Sequence, residues 1–326
     1  MNIRSVDKTT CARCADIIHK LALVAMAALL PLSAFAGPNY GPWSANVNIT
    51  DITPAVAGGC PIESRDGLTL YTARPSPTEP DDDVGDLNIW VNSRADADSP
   101  FGDAMVLPPP VNEPDSDEFC PTPIGGNYLL FVSTRAGGCG ASGGDIYIAR
   151  LNPATGWDAP VNLGCADLGE GPNTSGGEFS PGIIETDQGT YLYYSSDGSG
   201  NHDLYVSEMQ ADGRFAAGTP IAELNTDADD RMPTLTKDGL EIVFSSSREN
   251  WFGGSAGNPG QDVYYSSRES LSDPWSSPVN LSVTVPLTTE ADGETRASFS
   301  WDRTHVYYGS GGSVYVIERE KLTGRP

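Results

Sequence analysis

The sequence predicts an all-β fold, a five-bladed β-propeller closed by an N-terminal strand joining the C-terminal blade. Three observations predict it. Short runs of strand-forming residues, separated by turn residues, arrive in groups of four. The group recurs, because the Asn, Asp or Ser that opens each third run stands at 88, 145, 203, 262 and 313, a spacing of 51 to 59 residues. The last group stops one strand short, while a single strand-like run is left over at the amino end. A sheet built from both termini closes a ring and removes exposed edges.

The fourth group, 232–296, shows the unit most plainly. Met232-Pro233-Thr234-Leu235 leads to Asp238-Gly239. That pair is a hairpin signal, since its short loop needs positive φ, which Gly adopts freely and Asp tolerates. Ile242-Val243-Phe244 follows, ending in Ser245-Ser246-Ser247-Arg248, then Asp262-Val263-Tyr264-Tyr265 and the run 275–281.

Taken in order, residues 43–49 match only the last of these runs. The first full group, 60–119, starts at Cys60-Pro61, turns at Asp66-Gly67, and continues through 68–71, 88–91 and a weaker run around 105–111. The second, 120–179, holds Cys120-Pro121, 128–132, 145–148 and 160–163. The third, 180–231, holds Ser180-Pro181, 191–194, 203–206 and Pro220-Ile221. The fifth, 297–326 completed by 39–50, turns at Asp302-Arg303 and has runs at 305–308 and 313–316. Runs such as Ile146-Tyr147-Ile148 are apolar on both faces, as blades covered on both sides require.

Residues 1–36 read as a signal peptide. Arg4, Lys8, Arg13 and Lys20 form a basic leader, 21–30 an apolar core, and Ala34-Phe35-Ala36 a small-residue cleavage site. The apolar stretch is short and interrupted by Pro31, which disfavours the alternative of an uncleaved membrane anchor. The remainder, 37–326, is expected to be a single exported domain, periplasmic or secreted through the Sec pathway, monomeric and without a membrane span. The formal net charge of −25 repels nucleic acid and anionic lipid and suits solubility outside the cytoplasm. Four cysteines follow the leader and allow three pairings. Cys60 and Cys120 each precede Pro at the same point of successive groups, whereas Cys139 and Cys165 lie within one group; these two bridges are favoured in an oxidising compartment.

The units resemble the TolB-type, WD40-like propeller repeats of bacterial exported proteins. The resemblance lies in a Pro-led strand (Pro233), an Asp-Gly turn (Asp238-Gly239), an aromatic-containing strand ending Ser-x-Arg (244–248) and an Asp-Val-Tyr-Tyr strand (262–265), with equivalents in the other groups. It covers nearly all of residues 39–320 and implies a propeller. TolB has an additional amino-terminal domain and six blades, so a Tol–Pal role does not carry over.

Propeller topology puts the starts of first strands and the ends of second strands on one face. The acids Glu118, Glu178, Asp230 and Glu294 should therefore share a channel mouth with Arg74, Arg135 and Arg248, although blade 3 offers Asp197 and blade 5 Gly309-Ser310-Gly311 where an arginine would stand. One reading is structural, each acid pairing with an arginine across its own hairpin. The other is functional, the acids converging on a polar ligand or a Ca²⁺ ion. Trp251, in the loop 249–254, is expected on the same face, stacking on a sugar or partner side chain or folding back over its blade. Asp81-Asp82-Asp83 reads as a solvated loop tip.

His202 and His305 have no zinc spacing. His202, Asp197 and Ser195 compose a nominal triad, but no Gly-x-Ser-x-Gly elbow, phosphate-binding glycine loop or paired-His metalloprotease motif occurs. The function expected is non-catalytic binding of a protein or oligosaccharide through the rim loops. The alternative is a carbohydrate-active hydrolase. That would need two rim carboxylates about 5–10 Å apart, one with a raised pKa, breaking the repeat symmetry.

Overall fold

Each of the five repeating groups folds into one antiparallel sheet of four strands in a computed structural model, which describes residues 40–75, 86–140, 143–248, 260–281, 287 and 294–322. The leader 1–36, Asp81-Asp82-Asp83 and Trp251 lie outside the described residues.

Blade 1 comprises Gly59–Glu63, Thr69–Pro75, Leu87–Ser93 and Ala104–Val106. Blade 2 comprises Glu118–Ile124, Tyr128–Ser133, Asp145–Asn152 and Val161–Asn162, with the short strand Gly156–Trp157 folded back onto the third. Blade 3 comprises Glu178–Thr186, Gly189–Ser196, Asp203–Glu208 and Thr219–Pro220; blade 4 comprises Asp230–Leu235, Glu241–Ser246, Asp262–Ser267 and Val279–Asn280. Blade 5 has Thr295–Phe299, His305–Ser310 and Ser313–Glu318, and takes its outer strand, Val47–Asn48, from the amino end.

The register of that last pair is Val47 opposite Val316 and Asn48 opposite Tyr315. Backbone bonds extend it, with the Ser44 amide donating to the Glu318 carbonyl at 2.7 Å. The ring closes as the strand count requires, and the fold is a five-bladed β-propeller.

Alternation along each strand explains the two-sided apolar runs. Ile146 packs with Leu130, Leu192 and Tyr194 toward blade 3, while Tyr147 packs with Ile89, Leu129 and Phe131 toward blade 1. Five such clusters fill the spaces between successive blades. Phe131, Tyr194, Phe244 and Tyr308 are wholly buried, each contributing about 1.5–3 kcal/mol.

Every innermost strand carries a register shift. At that shift Cys60, Cys120, Ser180, Met232 and Arg296 take the left-handed φ, between 33° and 59°. β-branched or bulky residues avoid this region, so its recurrence in five blades marks a built-in bulge. The hairpin turns use the same region differently from the sequence expectation. Positive φ falls on Gly67 (73°), Gly239 (68°) and Arg303 (65°), and not on the preceding Asp. The Asp instead caps the turn: Asp238 Oδ1 accepts from the Leu240 amide at 3.2 Å and from Thr236 Oγ1 at 2.7 Å. Both favoured disulfides form, Cys60–Cys120 with Cα atoms 5.0 Å apart and Cys139–Cys165 with 5.4 Å.

Candidate functional site

The acids that open the first strands are buried, and three have their oxygens engaged by their own hairpins. Glu118 accepts from Ser133 Oγ at 2.6 Å, Ser116 Oγ at 2.7 Å, the Glu113 amide at 2.9 Å and Arg135 Nη2 at 3.2 Å. Asp230 accepts from the Thr226 amide at 2.7 Å, Thr226 Oγ1 at 2.8 Å and Arg248 Nη2 at 2.5 Å. Glu178 accepts from the Thr174 amide at 3.0 Å, Thr174 Oγ1 at 2.7 Å and Ser196 Oγ at 2.9 Å, while its second oxygen has no hydrogen-bond partner. Glu294 is buried as well; its amide donates to the Gln261 carbonyl at 2.7 Å.

The arginines follow from register. Arg135 and Arg248 stand two residues beyond Ser133 and Ser246, the serines opposite Glu118 and Asp230. In blade 3 the equivalent position is Gly198, one residue past Asp197. A Cβ there would come within 2.5 Å of Thr174 Oγ1, so no arginine fits. Glu178 is thus left without a cation. Burial pushes its carboxyl up to about 7 against the pull of its donors, and Asp145 adds to the rise. Burial also raises Glu118, opposed by Ser133, the Glu113 amide, Ser116 and Arg135.

Arg74 departs from the expected pattern. It sits in the serine position, not the arginine position, because Gly59 pairs with Ala73 and Gly58 occupies the acid's place. Its guanidinium donates to the Ala55 carbonyl at 3.2 Å and lies 4.3 Å over the Trp90 ring.

No hydrogen bond among the described residues links Ser195, Asp197 and His202 into a triad. Among the described residues no three His, Cys, Asp or Glu side chains come together to hold a metal ion. Ser195 Oγ accepts from the Met232 amide at 3.1 Å, and His202 packs edge-on against Phe179 at 4.9 Å.

The bulge residues form a waist in the central channel. Cys60 is bonded to Cys120, and Ser180 Oγ donates to Cys120 Sγ at 3.3 Å. From blade 5, Arg296 donates to the Pro121 carbonyl at 2.8 Å and to Thr122 Oγ1 at 2.5 Å. Sequence reasoning missed this arginine. Its signal was local: the fifth repeat has Arg296-Ala297 where the others have a residue followed by Pro.

On the hairpin side of the waist the first strands of all five blades enclose a small cavity of about 90 Å³, lined by Ile62, Thr122, Gly182, Thr234 and Arg296 among others. A larger cleft of about 620 Å³ opens on the same face between blades 2 and 3, walled by Ile124, Ile148, Leu163, Ile183, Met209 and Phe215. The rim acids begin the first strands and so lie on the opposite face.

No protein-family model and no curated protein matches the chain. Solved structures do resemble it. An α-L-arabinofuranosidase from Podospora anserina, determined with cellotriose, is 14% identical over 87% of this chain and 98% of that chain, with a TM-score of 0.51. The catalytic domain of a glycoside hydrolase family 62 α-L-arabinofuranosidase from Coprinopsis cinerea is 13% identical over 89% and 97%, with a TM-score of 0.50. TolB from Acinetobacter baumannii matches at 14% identity over 80% and 54%, with a TM-score of 0.41, too low to argue from. At these identities the likeness is one of fold, and a propeller hosts many functions.

Proposed function

We propose that the protein is an exported, non-catalytic β-propeller that binds a ligand or protein partner. The engagement of the rim acids carries this reading. Glu118 and Asp230 each meet an arginine and two or more further donors, so neither offers a free carboxylate for general acid or base work. Rim acids and arginines then act as braces, and Arg74 is a candidate ligand contact on the rim. Export is supported by two disulfides, which persist in oxidising compartments, and by the leader-like segment 1–36. Among the described residues no helix is long and apolar enough to cross a membrane.

One observation favours hydrolysis as a second reading. Glu178 breaks the repeat symmetry, has no arginine, and is held up to about 7, which suits a general acid. Against it, the side chain is wholly buried. Screening the purified protein against an oligosaccharide array while assaying sugar release separates the two. Binding without turnover is expected. Turnover that is lost in Glu178→Gln overturns the non-catalytic reading.

A further inference from the structure

The two openings on the hairpin face adjoin, because Arg65, Ile124 and Ile183 line both. One is walled by apolar side chains and the other ends on a buried cation. We propose that this face seats a small amphiphilic carboxylate, its anionic head on Arg296 in the channel and its apolar body in the cleft between blades 2 and 3. The proposal keeps the non-catalytic binding reading above and goes beyond it, since it seats a ligand on the face opposite the rim.

Arg296 is the decisive group. It is only 1% exposed, yet its hydrogen bonds go to neutral acceptors alone and its Nε has no partner. Burial pushes its guanidinium down to about 9, with no carboxylate to offset the loss of water. The fold does not require a charge there, since the same slot holds Cys60, Cys120, Ser180 and Met232 in the other blades. A buried unpaired cation is costly, and a perturbed buried group lining a cavity marks a candidate site. Glu63, the one acid among the described residues that line the channel cavity, is already held by Arg94 at 2.7 Å and by the Tyr307 hydroxyl at 2.9 Å.

Space and charge fit a carboxylate head. A Cβ built on Gly182 would meet nothing within 4 Å, so open volume adjoins the channel wall. A guanidinium donates to the two oxygens of a carboxylate in matched geometry. Arg65, stacked 4.4 Å over Trp301, adds a second positive charge where the channel meets the cleft. The cleft volume of about 620 Å³ lies within the range of small-molecule sites. Glu170 and Glu185 stand exposed on its lining, so a second anionic group on the ligand's body is repelled.

Isothermal titration with decanoate below its micellar concentration, 1-decanol and acetate tests this. Decanoate is expected to bind at least tenfold more tightly than either decanol, which lacks the charge, or acetate, which lacks the tail. Arg296→Met should make decanoate and decanol equivalent. Gly182→Leu puts a side chain into the channel cavity that Arg296 also lines, leaves the arginine in place, and should do the same. Phe215→Ala should weaken both ten-carbon ligands alike. If Arg296→Met does not fold by circular dichroism, Gly182→Leu alone decides. No decanoate binding, equal binding of decanoate and decanol, or a preference retained in folded Gly182→Leu overturns the proposal. Oligosaccharide or protein binding without decanoate binding removes this seat and leaves the binding reading intact; sugar release overturns that reading instead.

Discussion

Arg248 closes the first hairpin of blade 4 onto Asp230, Nη2 to Oδ1 at 2.5 Å, while the same guanidinium reaches the Leu224 carbonyl at 2.7 Å and lies over Phe244 and Tyr264. The carboxylate is wholly buried and the arginine nearly so. Removing one partner strands the other without water. Arg248→Ala should therefore cost about 3–5 kcal/mol in urea unfolding, and Arg248→Ala with Asp230→Ala less than the sum of the single changes. A single-variant loss below about 1 kcal/mol would place the pair among exposed, nearly neutral ones.

Glu178 gives stability an inverted pH dependence. Its folded pKa, about 7, lies above the unfolded value of 4.5, so the folded state holds the proton more tightly. The stability linked to this group is fully present below about pH 4.5 and is lost as pH rises through 7, by about 3 kcal/mol in all. Glu178→Gln should flatten that descent and raise the urea midpoint at pH 8. Parallel curves for the two proteins would show that the carboxyl ionises normally.

The disulfides tie loops of different size, spanning 26 residues for Cys139–Cys165 and 60 for Cys60–Cys120. By loop-closure entropy these stabilise by about 3.5 and about 4 kcal/mol. Cys139→Ser with Cys165→Ser should lower the unfolding midpoint accordingly under non-reducing conditions. An unchanged midpoint would mean that the unfolded chain is already constrained there.

Deleting the segment through Asn48 removes the outer strand of blade 5 and exposes the edge of Ser313–Glu318. An uncovered edge pairs with other chains. The shortened protein is expected to aggregate or dimerise in light scattering where the full chain does not. A stable monomer would show that closure by Val47–Asn48 is dispensable.

The described rim oxygens of Glu118 and Asp230 are occupied by protein donors. A chelator should therefore leave the thermal midpoint unchanged, and a fall of several degrees would reveal a stabilising cation.

The blade count, the closing strand and both disulfides were legible in the sequence because they depend on periodicity and equivalent positions. Four-run groups fix how many sheets there are, and the strand missing after Ser313–Glu318 fixes where 43–49 must go. The pairing of Glu118 with Arg135 and Asp230 with Arg248 was also foreseeable, since a hairpin brings its two ends together. Arg74 was misplaced by two residues because the bulge and the turn length set its register, and neither shows in composition.

Only the tertiary structure could place Arg296. Its neighbours, Pro121 and Thr122, lie 175 and 174 residues away and meet it solely because five first strands converge on one axis. The cleft between blades 2 and 3 likewise belongs to no single repeat, arising where Ile124 and Ile148 of one blade face Ile183 and Phe215 of the next. Local pattern determines which strands form and how many sheets they make. Which polar groups end up buried together depends on the closed ring, because closure alone takes them out of water.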